Sequence, residues 1–150
     1  MKPENTFPFG IDYGWIATDA SGHLAVFTNA GEGPIPRSAI MGDYASTSNV
    51  ERLVRELPEH CDAKMLVEMP ITDSFVGFGK RGLYAYDWGA AWDREQESGY
   101  GLVCVPSSPL SVEDLRSPLA ACALATLMPD TKFGGDILVN PVRHLDCVEP

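Results

Sequence analysis

The sequence predicts an α+β fold: a single domain with a mainly antiparallel sheet and two or three short helices. Three observations carry this expectation. Residues 11–28 read as two strand runs joined by a tight turn. Residues 82–88 and 100–105 read as a second strand pair. Helical periodicity is confined to short stretches, without the regular βα alternation of a doubly wound sheet.

Each element follows from local chemistry. Residues 1–10 are proline-bearing and polar and are expected to form an irregular arm. Residues 11–18 are rich in β-branched and aromatic side chains, which suit a pleated surface. Asp19-Ala20-Ser21-Gly22 supplies turn chemistry, with Gly22 free to take positive φ. Across residues 23–28, Leu24, Val26 and Thr28 share one face, and His23, Ala25 and Phe27 the other. Residues 30–36 hold Gly31, Gly33, Pro34 and Pro36, and neither a strand nor a regular helix is expected there.

The clearest helix is predicted over residues 49–57. Val50, Leu53, Val54 and Leu57 form one apolar stripe, Ser48 and Glu51 have capping-box spacing, and Pro58 ends the run. Glu51 and Arg55 stand at the favourable i,i+4 spacing. A Gly42-containing extension over residues 41–46 is a weaker helical candidate. Residues 64–69 predict a short strand, and Thr72-Asp73 opens a helix ending near Gly79. Residues 90–99 are expected to form a long acidic loop or a widened hairpin between the second strand pair. Residues 111–115 fit one helical turn. Residues 118–128 suit a helix by their alanines and leucines, although such a short apolar run also suits a buried strand. A last strand is predicted over 137–140.

Composition narrows the function classes. The chain has 150 residues and a formal net charge of −10. Nucleic-acid binding is disfavoured, because it relies on lysine and arginine displacing condensed counterions. An anionic membrane surface is disfavoured for the same reason. No apolar run reaches the roughly 20 residues needed to span a bilayer, and the first residues lack the apolar core of a secretory signal. A cytoplasmic, bacterial-type protein is therefore expected, and the charge leaves room for a basic protein partner or a cationic ligand. Solubility alone is the plainer account of the charge.

No motif identifies a reaction. Cys61, Cys104, Cys122 and Cys147 include no Cys-x-x-Cys pair. Cys104 and Cys122 sit in apolar segments and read as small buried hydrophobes. His60-Cys61 and His144-x-x-Cys147 could supply four zinc-type ligands only if the two segments met, and neither spacing is a usual zinc pattern. Cys–His nucleophilic chemistry needs an electropositive setting that an acidic chain does not favour. Gly31-Glu32-Gly33 lacks the rest of a dinucleotide fingerprint, and no phosphate-binding loop or Gly-x-Ser-x-Gly elbow occurs. The expectation is no cofactor, no resident metal and no catalytic residue.

The acidic loop is the preferred contact site. Trp88 and Trp92 flank carboxylates, with Asp93, Glu95 and Glu97 following. Aromatic anchors bordered by charge suit protein recognition. The plainer alternative is that Trp88 packs in the core and the carboxylates are a solvated face. Gly31, Glu32 and Gly33 form the alternative site, as one wall of a small-molecule pocket.

The pattern formed by Tyr13, Trp15, Ile16, Ala17, Asp19, Gly22, His23, Ala25, Phe27, Thr28, Ala30, Gly31, Gly33, Pro34, Ile35 and Pro36 resembles the opening of a group of small acidic bacterial proteins without assigned activity. Gly82-Leu83-Tyr84-Ala85-Tyr86-Asp87, Tyr100, Val105-Pro106 and Asp114-Leu115 resemble its second half. Such proteins are associated with immunity partners of bacterial polymorphic toxins. The resemblance implies a cytosolic inhibitor that masks a toxin domain, and it carries no catalytic residues with it. The expected function is thus a non-enzymatic protein-binding module of immunity type. A small-molecule-binding protein or enzyme, with a pocket near residues 30–36, is second. A self-associating structural component is third.

Overall fold

The computed structural model describes residues 7–40, 47–88 and 99–150, with the side chains of 47–49 excluded. It is an α+β domain built on a mixed, mostly antiparallel sheet. β1 (Gly14–Asp19) and β2 (Leu24–Thr28) form the expected hairpin, running from Gly14↔Thr28 to Thr18↔Leu24. Gly22 takes φ +84° in its turn. Asp19 Oδ1 accepts from the backbone N–H of Ser21 and of His23, both at 2.9 Å. This is the local side-chain-to-backbone bonding that makes Asp a turn former.

β5 (Tyr84–Asp87) and β6 (Tyr100–Pro106) form the second antiparallel pair. β2 and β5 run parallel, which joins the two hairpins into one sheet. β4 (Ala63–Met65) and β8 (Leu138–Val139) share the far edge of β6. β7 (Leu127–Met128) pairs parallel with β1 at the opposite edge.

The sheet is buried on both faces, and strand alternation sorts its side chains between two cores. Ile16, Leu24, Val26, Ala85 and Val103 meet the helical layer. That layer contains α2 (Thr47–Arg55), α3 (Asp73–Lys80) and α4 (Leu119–Ala125). Val50 and Val54 of α2 are buried there as their spacing predicts. Its outer face carries the Arg55–Glu51 pair at 3.7 Å and the Arg52–Glu56 pair at 2.9 Å.

On the other face, Trp15, Phe27, Tyr86, Tyr100 and Phe133 form an aromatic core. Trp15 stacks on Phe27 at 4.0 Å, and Phe27 on Tyr86 at 4.9 Å. Aromatic rings contribute large buried areas and favour these offset and edge-on geometries.

Several local expectations need correction. The segment 30–36 does not remain irregular throughout: Ile35–Pro36 is a short strand, β3, paired with β9 (Cys147–Val148). A four-residue helix, α1 (Arg37–Ile40), follows it, so there are four α-helices among the described residues rather than two or three. The predicted strand over 64–69 is shorter, at Ala63–Met65. Residues 118–128 divide into α4 and β7, because the chain turns extended at Thr126 to pair with β1. Residues 7–10 of the expected irregular arm carry no helix or strand, yet Phe7 is buried in the aromatic core; residues 1–6 lie outside the described residues. Thr72 stands at the N-cap of α3 but its side chain makes no capping bond. The Ser48 cap and the extension over 41–46 lie outside the described residues and side chains.

The turn at Val112–Asp114 is a 3-10 turn with a capping box. The Ser111 hydroxyl accepts from Glu113 N–H, and Asp114 accepts from Ser111 N–H. No helix among the described residues is long and apolar enough to cross a membrane.

Candidate functional site

Strand register brings Trp88, the one described residue of the preferred site, and the Gly31–Gly33 loop to one end of the sheet. Gly14 faces Thr28, Thr28 faces Asp87, and Asp87 faces Gly101. This row carries the start of β1, the ends of β2 and β5, and the start of β6. The loop after β2, with Gly31, Glu32 and Gly33, therefore stands beside Trp88, which follows β5.

The contact between them is direct. A Cβ on Gly33 would lie 2.6 Å from Tyr100 Oη and 2.9 Å from Trp88 Cδ2. Only a glycine fits under these rings without displacing them. Trp88 is half-buried and packs edge-on to Tyr100, with ring centroids 5.1 Å apart. The Tyr100 hydroxyl donates to Pro34 O at 2.8 Å and accepts from Trp15 Nε1 at 3.3 Å. Burial pushes its pKa well above the ordinary tyrosine value. Space on the inner side of Gly33 is thus filled by side chains.

Asn29 holds the loop. It is fully buried. Its Oδ1 accepts from Tyr13 N–H at 2.7 Å and from Gly31 N–H at 2.9 Å, and its Nδ2 donates to Gly33 O at 3.2 Å. Its own carbonyl accepts from Glu32 N–H and Gly33 N–H. Ala30 and Gly31 take positive φ to close the turn. The sequence reading missed Asn29. Its position before Ala-Gly is the available signal, since asparagine bonds its own backbone two residues on and tolerates turn geometry.

Carboxylates border this end. Glu32 and Asp12 are exposed. Asp12 Oδ1 accepts from Ala30 N–H at 2.8 Å, which ties the segment before β1 to the loop after β2. Asp87 Oδ1 accepts from the Thr28 hydroxyl at 2.6 Å. Glu51 of α2 lies over Gly14, 3.2 Å from where its Cβ would stand. Its pKa is raised, first by burial and further by the charge of Asp12, with Arg55 opposing. Trp92, Asp93, Glu95 and Glu97 lie outside the described residues, in the segment joining Trp88 to Gly99.

Elsewhere several polar side chains bond the backbone. Asp19, at the other end of β1, is buried, and its Oδ2 accepts from Phe133 N–H at 2.8 Å. The Cys61 thiol donates to Gly79 O at 3.3 Å, and His60 Nε2 lies 3.1 Å from Ser108 O. Cys147 is half-buried in β9, and its thiol is pushed up to about 12 by burial and by Glu149 and Asp146, against the pull of Arg37. That is the reverse of an activated thiol. Among the described residues no three His, Cys, Asp or Glu side chains converge as a metal ion would require, so the two His–Cys pairs do not form one ligand set.

Two open clefts lie on the helical face. One, of about 470 Å³, lies between the end of α2 and the start of α4, with Leu53, Leu57, Asp114 and Arg116 among its walls. The other, of about 310 Å³, is bordered by Arg55, Asp73 and Arg81. Neither is lined by residues 30–36. No protein-family model, curated protein or solved structure matches this chain.

Proposed function

We propose that the chain is a non-enzymatic protein-binding module, in its most concrete form a cytoplasmic immunity-type inhibitor that occludes a basic toxin domain. The observation that carries this reading is the gathering of Asp12, Glu32 and Asp87 at the sheet end that also bears Trp88, in a chain of net charge −10. An acidic border raises the rate of encounter with a basic protein, from about 10⁵–10⁶ toward 10⁸–10⁹ M⁻¹s⁻¹ at low salt in the strongest cases. A half-buried tryptophan in such a border is the residue type that anchors interfaces. Inhibition would be stoichiometric, by covering the partner's working surface.

The second reading, a small-molecule pocket near residues 30–36, is weakened by the rings that fill the space at Gly33. Affinity capture, identification of the captured protein and reconstitution of the purified pair test the leading reading. A one-to-one complex with a basic protein, forming more slowly as salt rises and silencing that protein's activity, is the expected result. A complex with an acidic partner, or association indifferent to salt, overturns it.

A further inference from the structure

Among the described residues the exposed large apolar side chains are Leu66, Ile71, Leu124, Leu127, Ile137 and Val142 besides Phe9 and Ile11. Leu124 and Leu127 are close in sequence but stand on α4 and β7, whereas Phe9 and Ile11 share one segment. They are 67% and 49% exposed, two residues apart, on a segment tied down at both ends. On one side Phe7 is buried in the aromatic core, its ring 5.1 Å from that of Phe9, and its carbonyl accepts from Phe9 N–H. On the other side Asp12 is bonded to Ala30 N–H, and Tyr13 is bonded through its N–H to Asn29. Gly10, at φ +78°, turns the chain between them. The Ile11 carbonyl lies 3.8 Å from where a Cβ on Gly31 would stand, so Ile11 borders the loop that carries Glu32.

The arrangement is two apolar side chains on an anchored turn, which runs into the exposed Asp12 and meets the loop of the exposed Glu32 through Ile11. Presentation on an anchored segment reduces the ordering cost of binding. Apolar anchors within a charged border are also how interface energy is usually distributed.

We propose that Phe9 and Ile11 are the apolar anchors of the partner-binding surface, and that the partner presents an apolar pocket bordered by lysine or arginine. The inference rests on the protein-binding reading above and specifies its contact residues and the chemistry of the opposing surface. The occupant is basic because the carboxylates that flank the pair would repel an acidic border and would be left uncompensated against an apolar one.

Three labelled peptides of equal length test this: one alternating lysine with leucine, one lysine with serine and one glutamate with leucine. Binding is read by fluorescence anisotropy, and its location by amide NMR shifts, on the full chain and on Phe9→Ala, Ile11→Ala and Glu32→Lys. All three positions are exposed, so thermal unfolding should be unchanged. The lysine–leucine peptide is expected to bind best and to shift residues 7–13 and 29–33. Each variant should weaken it by about tenfold or more.

Unchanged affinity in Phe9→Ala and Ile11→Ala, or no binding of the lysine–leucine peptide, overturns the inference. Equal binding of both lysine peptides, sensitive to Glu32→Lys alone, removes the apolar anchors and leaves the basic-partner reading standing. Preference for the glutamate–leucine peptide removes both. A dimer in sedimentation that Phe9→Ala dissolves would make a second copy the occupant, and NMR contacts from Phe9 to residues 89–98 would make it that segment of this chain. Either result also overturns the proposal.

Discussion

Replacing Asn29 by alanine should cost far more than its small side chain suggests. The side chain makes three hydrogen bonds, and two of its partners sit in buried residues: Tyr13 N–H and Gly33 O. The third, Gly31 N–H, is half-buried and can turn to water. A buried group left without a partner costs about 1–3 kcal/mol. Two such groups give a loss of about 2–6 kcal/mol, a large share of the roughly 5–15 kcal/mol that holds a domain folded. Equilibrium urea unfolding followed by tryptophan fluorescence measures it, with Glu32→Ala as the control. Glu32 lends only its backbone N–H to the turn, so that control should stay within about 0.5 kcal/mol of the parent. A loss below about 1 kcal/mol in Asn29→Ala would mean that water reaches both groups and that Asn29 does not hold the loop. Where the full loss is seen, the loop bearing Glu32 should also lose amide protection, because the same bonds fix both.

Gly33→Ala should destabilise by about 1–3 kcal/mol through overpacking, since its methyl would meet Tyr100 and Trp88. An unchanged urea midpoint would show that the rings yield freely. Phe27→Ala should cost about 3–5 kcal/mol, because Phe27 is fully buried between Trp15 and Tyr86; a loss under about 1 kcal/mol would contradict the stacked core. Alkaline pH should unfold the protein. Burial raises Cys147 from 9.0 to about 12, Cys104 from 9.0 to about 11 and Tyr13 from 10.0 to about 12. All three are acids that the folded state keeps neutral. The unfolded chain ionises first, so stability is full below about pH 9 and falls as pH rises toward about 12. Urea midpoints measured across that range should decline, and Cys147→Ser should flatten the decline; a midpoint that rises with pH would reverse the sign.

Much of the fold was legible because it is locally encoded. The β1–β2 hairpin follows from alternation and from Asp19 and Gly22. The buried face of α2 follows from the spacing of Val50 and Val54, and the short turn over 111–115 was legible as one helical turn. The shorter pairings were not legible. β3, β7, β8 and β9 have two residues each, too few to carry a periodic signal, and they exist because a distant segment offers them hydrogen bonds. The candidate site divides in the same way. Trp88 and Gly33 were each visible as unusual residues, but nothing in their own segments says that they touch.

Sequence alone determined the charge of −10, the two hairpins, the amphipathic helix and the α+β class. Each depends on residue type or on neighbours a few positions away. Tertiary structure alone decided that β2 and β5 lie side by side and parallel, so that the loop at Gly31–Gly33 and the tryptophan at Trp88 share one end of the sheet. It also decided that Phe7 is buried while Phe9 and Ile11 are exposed. These outcomes depend on which surfaces remain to be covered once the sheet has formed, and that is a property of the assembled layers rather than of any one segment.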